Sequence, residues 1–455
     1  MGLNKTTLKA IAKATGVPVP VSHGVSQDYY NLYRFSPTAA IAKSVSSLTL
    51  EDSDIKVTGE SRRADSIRSI LDLTVTDILP DACELALGSG DCIIRPYYER
   101  NHFGVTIIDN RDFYICDSCG DFIFSCIMVV DKIERENGDV FKHVEVQQLV
   151  DTTLKITSIL LRNGNIVPLG SVPEWSSLEP EYVITDCDSL LIGRIKCPTL
   201  DRGAINKKHG VSITNGLDGL INDTLKAYNR YEDEFEKKEA FVFADKSLFK
   251  RDTSGDGSMK LPRGRERLFQ QMPSTFTDDA GVSSKIYEYS PDIRETEFRA
   301  GLELQFKLLE LMCGLSQGIL TSPTTTYATA TEIKASLHLT FAYITRFRRN
   351  IAKGVKQLVN AIDVLCDVHK IDPAGEYSVT MDWSSAYVEN LTEQFDRLTR
   401  SLELGVVDRA EVRSWVLDET VDIAERKLDA IDGNPAAFSP PSSSKSSPTS
   451  SSDPS

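Results

Sequence analysis

The chain has 455 residues, 41% hydrophobic and 26% charged, which is enough for about three domains of roughly 150 residues. Its formal charge of -15 argues against a conventional duplex-DNA binder, because such affinity comes from Lys and Arg neutralising phosphates. No apolar run reaches the roughly 18 residues that span a bilayer, and the opening MGLNKTTLKAIAKATG lacks the apolar stretch of a signal peptide. The chain therefore reads as soluble and made in a cytoplasm, with no membrane partner.

Residues 1–60 are weakly patterned. Met1-Gly2 with Thr6 fits the loose myristoylation pattern, but Lys5, Lys9 and Lys13 mark the polar face of a short helix. Further on, Tyr30, Leu32 and Ile41 are candidate anchors of another helix. Residues 62–87 place Ile67, Ile70, Leu71, Ile78 and Leu79 at helical spacing, broken by Pro80 and ending at Gly88. From 91 the period shortens to β-rich runs separated by Asn137-Gly138 and Asn163-Gly164, an expected antiparallel meander. An α+β domain is expected over roughly 60–210.

A helix follows Gly216, with Leu217, Leu220, Leu225, Tyr228, Tyr231 and Phe235 on one side. Residues 241–295 lose the helical period and read as a strand-and-loop insert. A second helix over 296–313 carries Phe298, Leu302, Leu308, Leu309 and Met312. After it, TSPTTTYATATEIKAS (321–336) puts six threonines in sixteen positions. The longest helix is expected over about 331–369, with Ile333, Leu337, Phe341, Ile344, Ile351, Val355, Leu358, Ile362 and Leu365 recurring at steps of three, four and seven. Two or three short helices fill 388–431, with Gly405 as a stop and Asp408 and Thr420 as candidate N-caps. Residues 433–455, with ten Ser and five Pro, read as a disordered tail.

The nine cysteines are scattered through apolar runs and read as reduced, buried thiols. Cys116 and Cys119 form a single CxxC, with Cys126, His102 and His143 as conceivable further ligands, but a tetrahedral zinc site wants a second pair. DTSGDGSMKLPR (252–263) begins like a calcium loop, yet puts Arg263 where a bidentate Glu is required. Asp186 and Asp188 form a carboxylate pair that either holds a divalent ion or faces solvent. No phosphate-binding glycine loop and no nucleophile motif is present, so an enzyme is not expected and no catalytic, metal or cofactor residue is assigned. The long helix carries Lys334, Arg346, Arg348, Arg349, Lys353 and Lys356, which read as a solvated face, an intersubunit pairing surface or a nucleic-acid contact.

Several strings, ELALGSGDCIIRPYY (84–98), HGVSITNGLDGLINDTLKAYNRYEDEFE (209–236), YSPDIRETEF (289–298) and GLSQGILTSPTTTYATATEIKAS (314–336), together with the order of elements, resemble the portal proteins of tailed bacteriophages, the branch typical of long-tailed phages of Gram-positive bacteria. The resemblance covers roughly 60–430. It implies the α+β portal fold: an uncertain segment 1–60, a wing (61–212), a stem helix (213–240), a clip (241–295), a returning stem helix (296–313) and a tunnel loop (314–331). A long wing helix with its following segment (332–383) and a helical crown (384–432) complete it.

The implied function is a ring, twelve copies in the virion, at one capsid vertex, through which double-stranded DNA is packaged and ejected. The implied partners are terminase large subunit, head-tail adaptor, and major capsid and scaffold proteins. By the same analogy Ser322, Thr324, Thr325, Thr326 and Tyr327 face the DNA. An acidic wall suits a conduit that must not grip its cargo. The rival readings are a virion adaptor without a channel and a metal-dependent hydrolase built on Asp186, Asp188 or the cysteines.

Overall fold

The structure is a computed structural model of the chain, described over residues 2–20, 25–31, 35–51, 53–74, 77–201, 208–237, 241–245, 269–272, 276–277, 283–284, 286–289, 294–321, 337–383, 399–402, 404–417, 424 and 426–428. It divides into two compact units, Met1–Trp383 and Ser384–Ser455.

The first unit opens with α1 (Lys5–Thr15). The Asn4 side chain accepts the Thr7 N–H at 2.8 Å, and Gly16 ends the helix at φ 78°. Lys5, Lys9 and Lys13 are exposed as expected, while Leu8, Ile11 and Ala12 pack on Tyr114, Ile127 and Val144 of a sheet. The weakly patterned N-terminus is thus part of this unit's core.

Helix α2 (Pro37–Leu50) is capped by Ser36 and begins on a proline, whose missing N–H is an orphan at that position anyway. Ile41 is fully buried in it, but Tyr30 sits outside the helix, its hydroxyl donating to Asp109 at 2.5 Å; Leu32 lies outside the described residues. Strand β1 (Ser53–Thr58) and helices α3 (Arg62–Thr74) and α4 (Leu79–Ser89) come after it. Pro80 lies in the first turn of α4, so it starts a helix where the sequence pattern led us to expect a break.

Two antiparallel sheets come next. In the smaller, β10 (Gly193–Lys196), β2 (Asp91–Glu99) and β3 (His102–Asp109) lie in that order. The larger is a meander of β4 (Phe113–Cys119), β5 (Phe122–Glu134), β6 (Val140–Val150), β7 (Thr153–Arg162) and β8 (Asn165–Val167), with β9 (Glu181–Thr185) also on β7. Asn163 and Gly164 take φ 49° and 87° between β7 and β8, the left-handed pair that a tight hairpin demands. Arg95 of β2 pairs with the buried Glu145 of β6, and its charge overrides burial to hold that carboxyl below its usual range.

Helices α5 (Asp218–Lys237) and α6 (Glu295–Met312) form an antiparallel hairpin. Leu217, Ile221, Leu309 and Cys313 sink its near end into the main core, while Arg294 pairs with Glu234 at the far end, at 3.0 Å. Between the helices, β11 (Phe241–Asp245) lies between β12 (Phe269–Met272), parallel to it, and β15 (Ile286–Tyr289), antiparallel; β13 (Phe276–Thr277) and β14 (Ser283–Ser284) pair separately.

Helix α7 (His338–Val368) spans 31 residues, about 46 Å at 1.5 Å per residue. Ile344, Phe347, Ile351, Val355, Leu358, Ile362 and Leu365 are buried, close to the expected set, whereas Phe341 and Leu337 are half-buried. The helix crosses β10 at two glycines: a Cβ on Gly354 would lie 2.6 Å from the Arg194 carbonyl, and one on Gly193 would lie 2.5 Å from the Gly354 carbonyl. Buried Arg63 of α3 donates to Asp363 and Asp367 at 2.7 and 2.6 Å, fastening the end of α7. Strand β16 (Ser378–Trp383) then pairs with β1.

In the second unit Gly405 takes φ 69°. The Asp408 side chain accepts the N–H groups of Ala410 and Glu411 at 2.8 Å, and Glu411 accepts the Asp408 N–H. This reciprocal cap opens α8 (Arg409–Leu417). Thr420 and the Ser/Pro tail lie outside the described residues.

Candidate functional site at the junction of α6 and α7

Helix α6 ends where Gly314, at φ 74°, turns the chain and the Leu315 N–H closes on the Glu310 carbonyl at 2.9 Å. The Glu310 side chain is fully buried and organises the turn beyond the helix. Its Oε1 accepts the N–H groups of Gly318, Leu320 and Thr321 at 3.2, 2.6 and 3.1 Å, and its Oε2 accepts the Thr321 hydroxyl at 3.1 Å. One carboxylate therefore satisfies three backbone donors of a turn that has no ladder of its own.

A second clasp joins this turn to α7. The Ser316 N–H donates to Thr340 Oγ1 at 2.9 Å, and the Thr340 N–H donates to Ser316 Oγ at 3.4 Å, both residues being buried. The two feet of segment 322–336 are fixed, one at Thr321 and the other at the start of α7. The candidates Ser322, Thr324, Thr325, Thr326, Tyr327 and Lys334 lie outside the described residues.

The remaining cations of the long helix separate into two groups. Arg348 turns inward: its Nε donates to the Thr49 carbonyl at 3.0 Å and its guanidinium lies 5.1 Å from the Trp383 ring. Arg346, Arg349, Lys353 and Lys356 are exposed, and Lys353 lies 3.3 Å from Asp121.

The near end of the hairpin is held by a buried charge network that the sequence pattern did not single out. Asp91 accepts from Arg194 Nη2 at 2.8 Å and from the Gly210 N–H at 2.6 Å, with His209 Nδ1 3.5 Å away. Burial alone would raise the Asp91 carboxyl, but the Arg194 charge and the His209 contact outweigh it and bring it down from 3.8 to about 2. His209 Nε2 accepts the Ile115 N–H at 3.2 Å, and burial pushes its pKa below 6.5, so the ring is neutral.

The metal candidates are dispersed. Cys116 and Cys126 are buried in separate cores on opposite faces of the larger sheet, Cys119 is exposed, and His143 is buried against Trp175. Asp186 and Asp188 are exposed, on either side of buried Cys187, with Asp186 in a turn at φ 57°. A cleft of about 180 Å³ beside the start of α5 is lined by His209, Ser212, Thr214 and Asp218 among others, and neither aspartate of the pair lines it. Residues 252–263 lie outside the described residues. Among the described residues no group of three His, Cys, Asp or Glu side chains is placed to hold a metal, and no helix is long and apolar enough to cross a membrane. No protein-family model matches the sequence, and the comparison with curated proteins finds no match.

Proposed function

We propose that this chain is a portal subunit: a non-enzymatic, ring-forming protein through which double-stranded DNA passes at a capsid vertex, and a docking platform for a packaging motor and tail-side adaptors. The observation that carries the reading is the pair of clasps in the described residues that flank the Thr-rich stretch 322–336: Glu310 holds the turn that leads toward it from the hairpin, and the Ser316 and Thr340 pair ties that turn to the longest helix, which follows it. A short polar segment with anchored ends can be presented to a moving polyanion and touch it through neutral hydroxyls without holding it.

Two further features support the reading. The hairpin carries its β-rich insert at the end away from the core, where a docking element belongs. Leu304, Leu308 and Leu311 are 57, 38 and 59% exposed along one side of α6, an apolar stripe of the kind that association covers.

Deleting 322–330 tests the function. The expected result is a protein that assembles as the parent does but fails to retain packaged DNA. Unchanged packaging and retention would point instead to an adaptor without a channel.

A further inference from the structure

We propose that the outward stripe Arg346, Arg349, Lys353 and Lys356 of α7 docks an acidic surface of a second copy of this chain. The inference rests on the self-association contained in the portal reading. The four positions are spaced three, four and three apart, so they fall within about 80° of arc and about 15 Å of helix. All four are exposed, while the opposite side of the same helix is buried.

The spacing works against the helix itself. Arg346 with Arg349, Arg349 with Lys353, and Lys353 with Lys356 are successive like-charge neighbours, each unfavourable to an isolated helix. The residues three and four positions away are otherwise Ala342, Tyr343, Thr345, Asn350, Ala352, Gln357, Val359 and Asn360, so no acid on α7 offsets the repulsion. Among the described residues the ion pair found for the stripe is Lys353 with Asp121, whose side chains are 63 and 68% exposed and therefore screened by water. Arg348, inside the same run, is used within the fold. Of the outward four, Arg346 donates to the Ala342 carbonyl at 3.4 Å and lies 5.7 Å from the Tyr343 ring, contacts that leave its charge unneutralised.

A second copy supplies the neutralising anion. Each copy carries -15, so two copies repel as wholes, and contact needs a local patch of opposite sign within a Debye length of about 10 Å. The chain offers suitable counterparts: residues 69–90 contain Asp72, Asp77, Asp81 and Glu84 and no Lys or Arg, and the first three are exposed. Cations on one copy meeting acids elsewhere on the next are compatible with a head-to-tail contact, the geometry that closes rings and the one the portal reading requires.

The test mixes unlabelled and 15N-labelled full-length chain, joins lysines to carboxylates with a carbodiimide, and identifies cross-links between copies by mass. In parallel, the oligomeric mass of R346Q/R349Q/K353Q/K356Q is followed against concentration. Intercopy links from Lys353 or Lys356, with self-association of the variant weakened about tenfold or more and its helicity retained, are expected. A wild-type oligomer matched by the variant and lacking those links would overturn the inference and leave the portal reading standing. A wild-type chain that stays monomeric at every concentration would overturn both. A variant that assembles normally but loses affinity for duplex DNA would assign the stripe to nucleic acid instead.

Discussion

The two ends of the α5 and α6 hairpin are built on different principles. The near end is set in the main core, Leu309 belonging to the same cluster of fully buried side chains as Ile195 and Phe347, and is pinned through Gly210 to the Asp91 and Arg194 pair, both almost without exposure. The far end is held by Arg294 on Glu234, with the arginine side chain 61% exposed. An arm fixed at its foot and lightly tied at its tip can present its tip to partners without straining the body. The Glu310 turn lies at this rigid end.

The largest expected effect comes from breaking the foot. Asp91→Ala or Arg194→Ala strands a buried charge and should reduce stability by about 3–5 kcal/mol in denaturant unfolding. Arg294→Ala at the tip should leave the unfolding midpoint unchanged. Equal losses at both ends would erase the contrast.

Acid sharpens the same contrast. His209 is held below its usual 6.5, so the unfolded chain takes a proton that the folded chain refuses, and stability should start to fall as pH drops below about 6.5. The Asp91 carboxyl, brought from 3.8 to about 2, contributes fully above about pH 4; its share, on the order of 2 kcal/mol, disappears as pH falls toward 2. Unfolding followed by circular dichroism across pH 2–8 should show both stages in the parent and a smaller first stage in His209→Gln, the remainder belonging to His143, which burial also holds below its usual range.

At the clasp, Glu310→Gln keeps the shape but weakens acceptance from three N–H groups, for a loss of about 1–3 kcal/mol. Hydrogen exchange should quicken at Gly318, Leu320 and Thr321 first. Uniform quickening along α6 would mean that Glu310 supports the helix and not the turn. A small effect belongs to the outward stripe: R346Q/R349Q/K353Q/K356Q relieves three like-charge contacts on the helix and should raise monomer stability by about 1 kcal/mol at most.

Much of this fold was legible in the sequence wherever period and turn chemistry act locally. The buried side of α7, the meander with its Asn-Gly turn, and the Asp408 cap follow from spacing alone. Pro80 was misread because a proline that breaks a helix and one that opens it look alike until the neighbouring backbone is known. The foot of the hairpin was not legible, since Asp91, Arg194 and His209 are about a hundred residues apart or held together only by the fold.

Glu310 did leave a sign. It is an acid among Leu308, Leu309, Leu311 and Met312, in the last turn of a helix whose carbonyl end disfavours negative charge. The long-helix cations read as one group in the sequence, although helical spacing already puts Arg348 outside the arc shared by Arg346, Arg349, Lys353 and Lys356, and its contacts with Thr49 and Trp383 give that separation its meaning.

The most direct test of the central claim is an electron-microscope image of the purified chain, with its mass measured in the same buffer. The portal reading predicts rings with a central hole and a mass near twelve times 50.4 kDa, or a neighbouring multiple. Particles of 50.4 kDa at every concentration, without a hole, would contradict it.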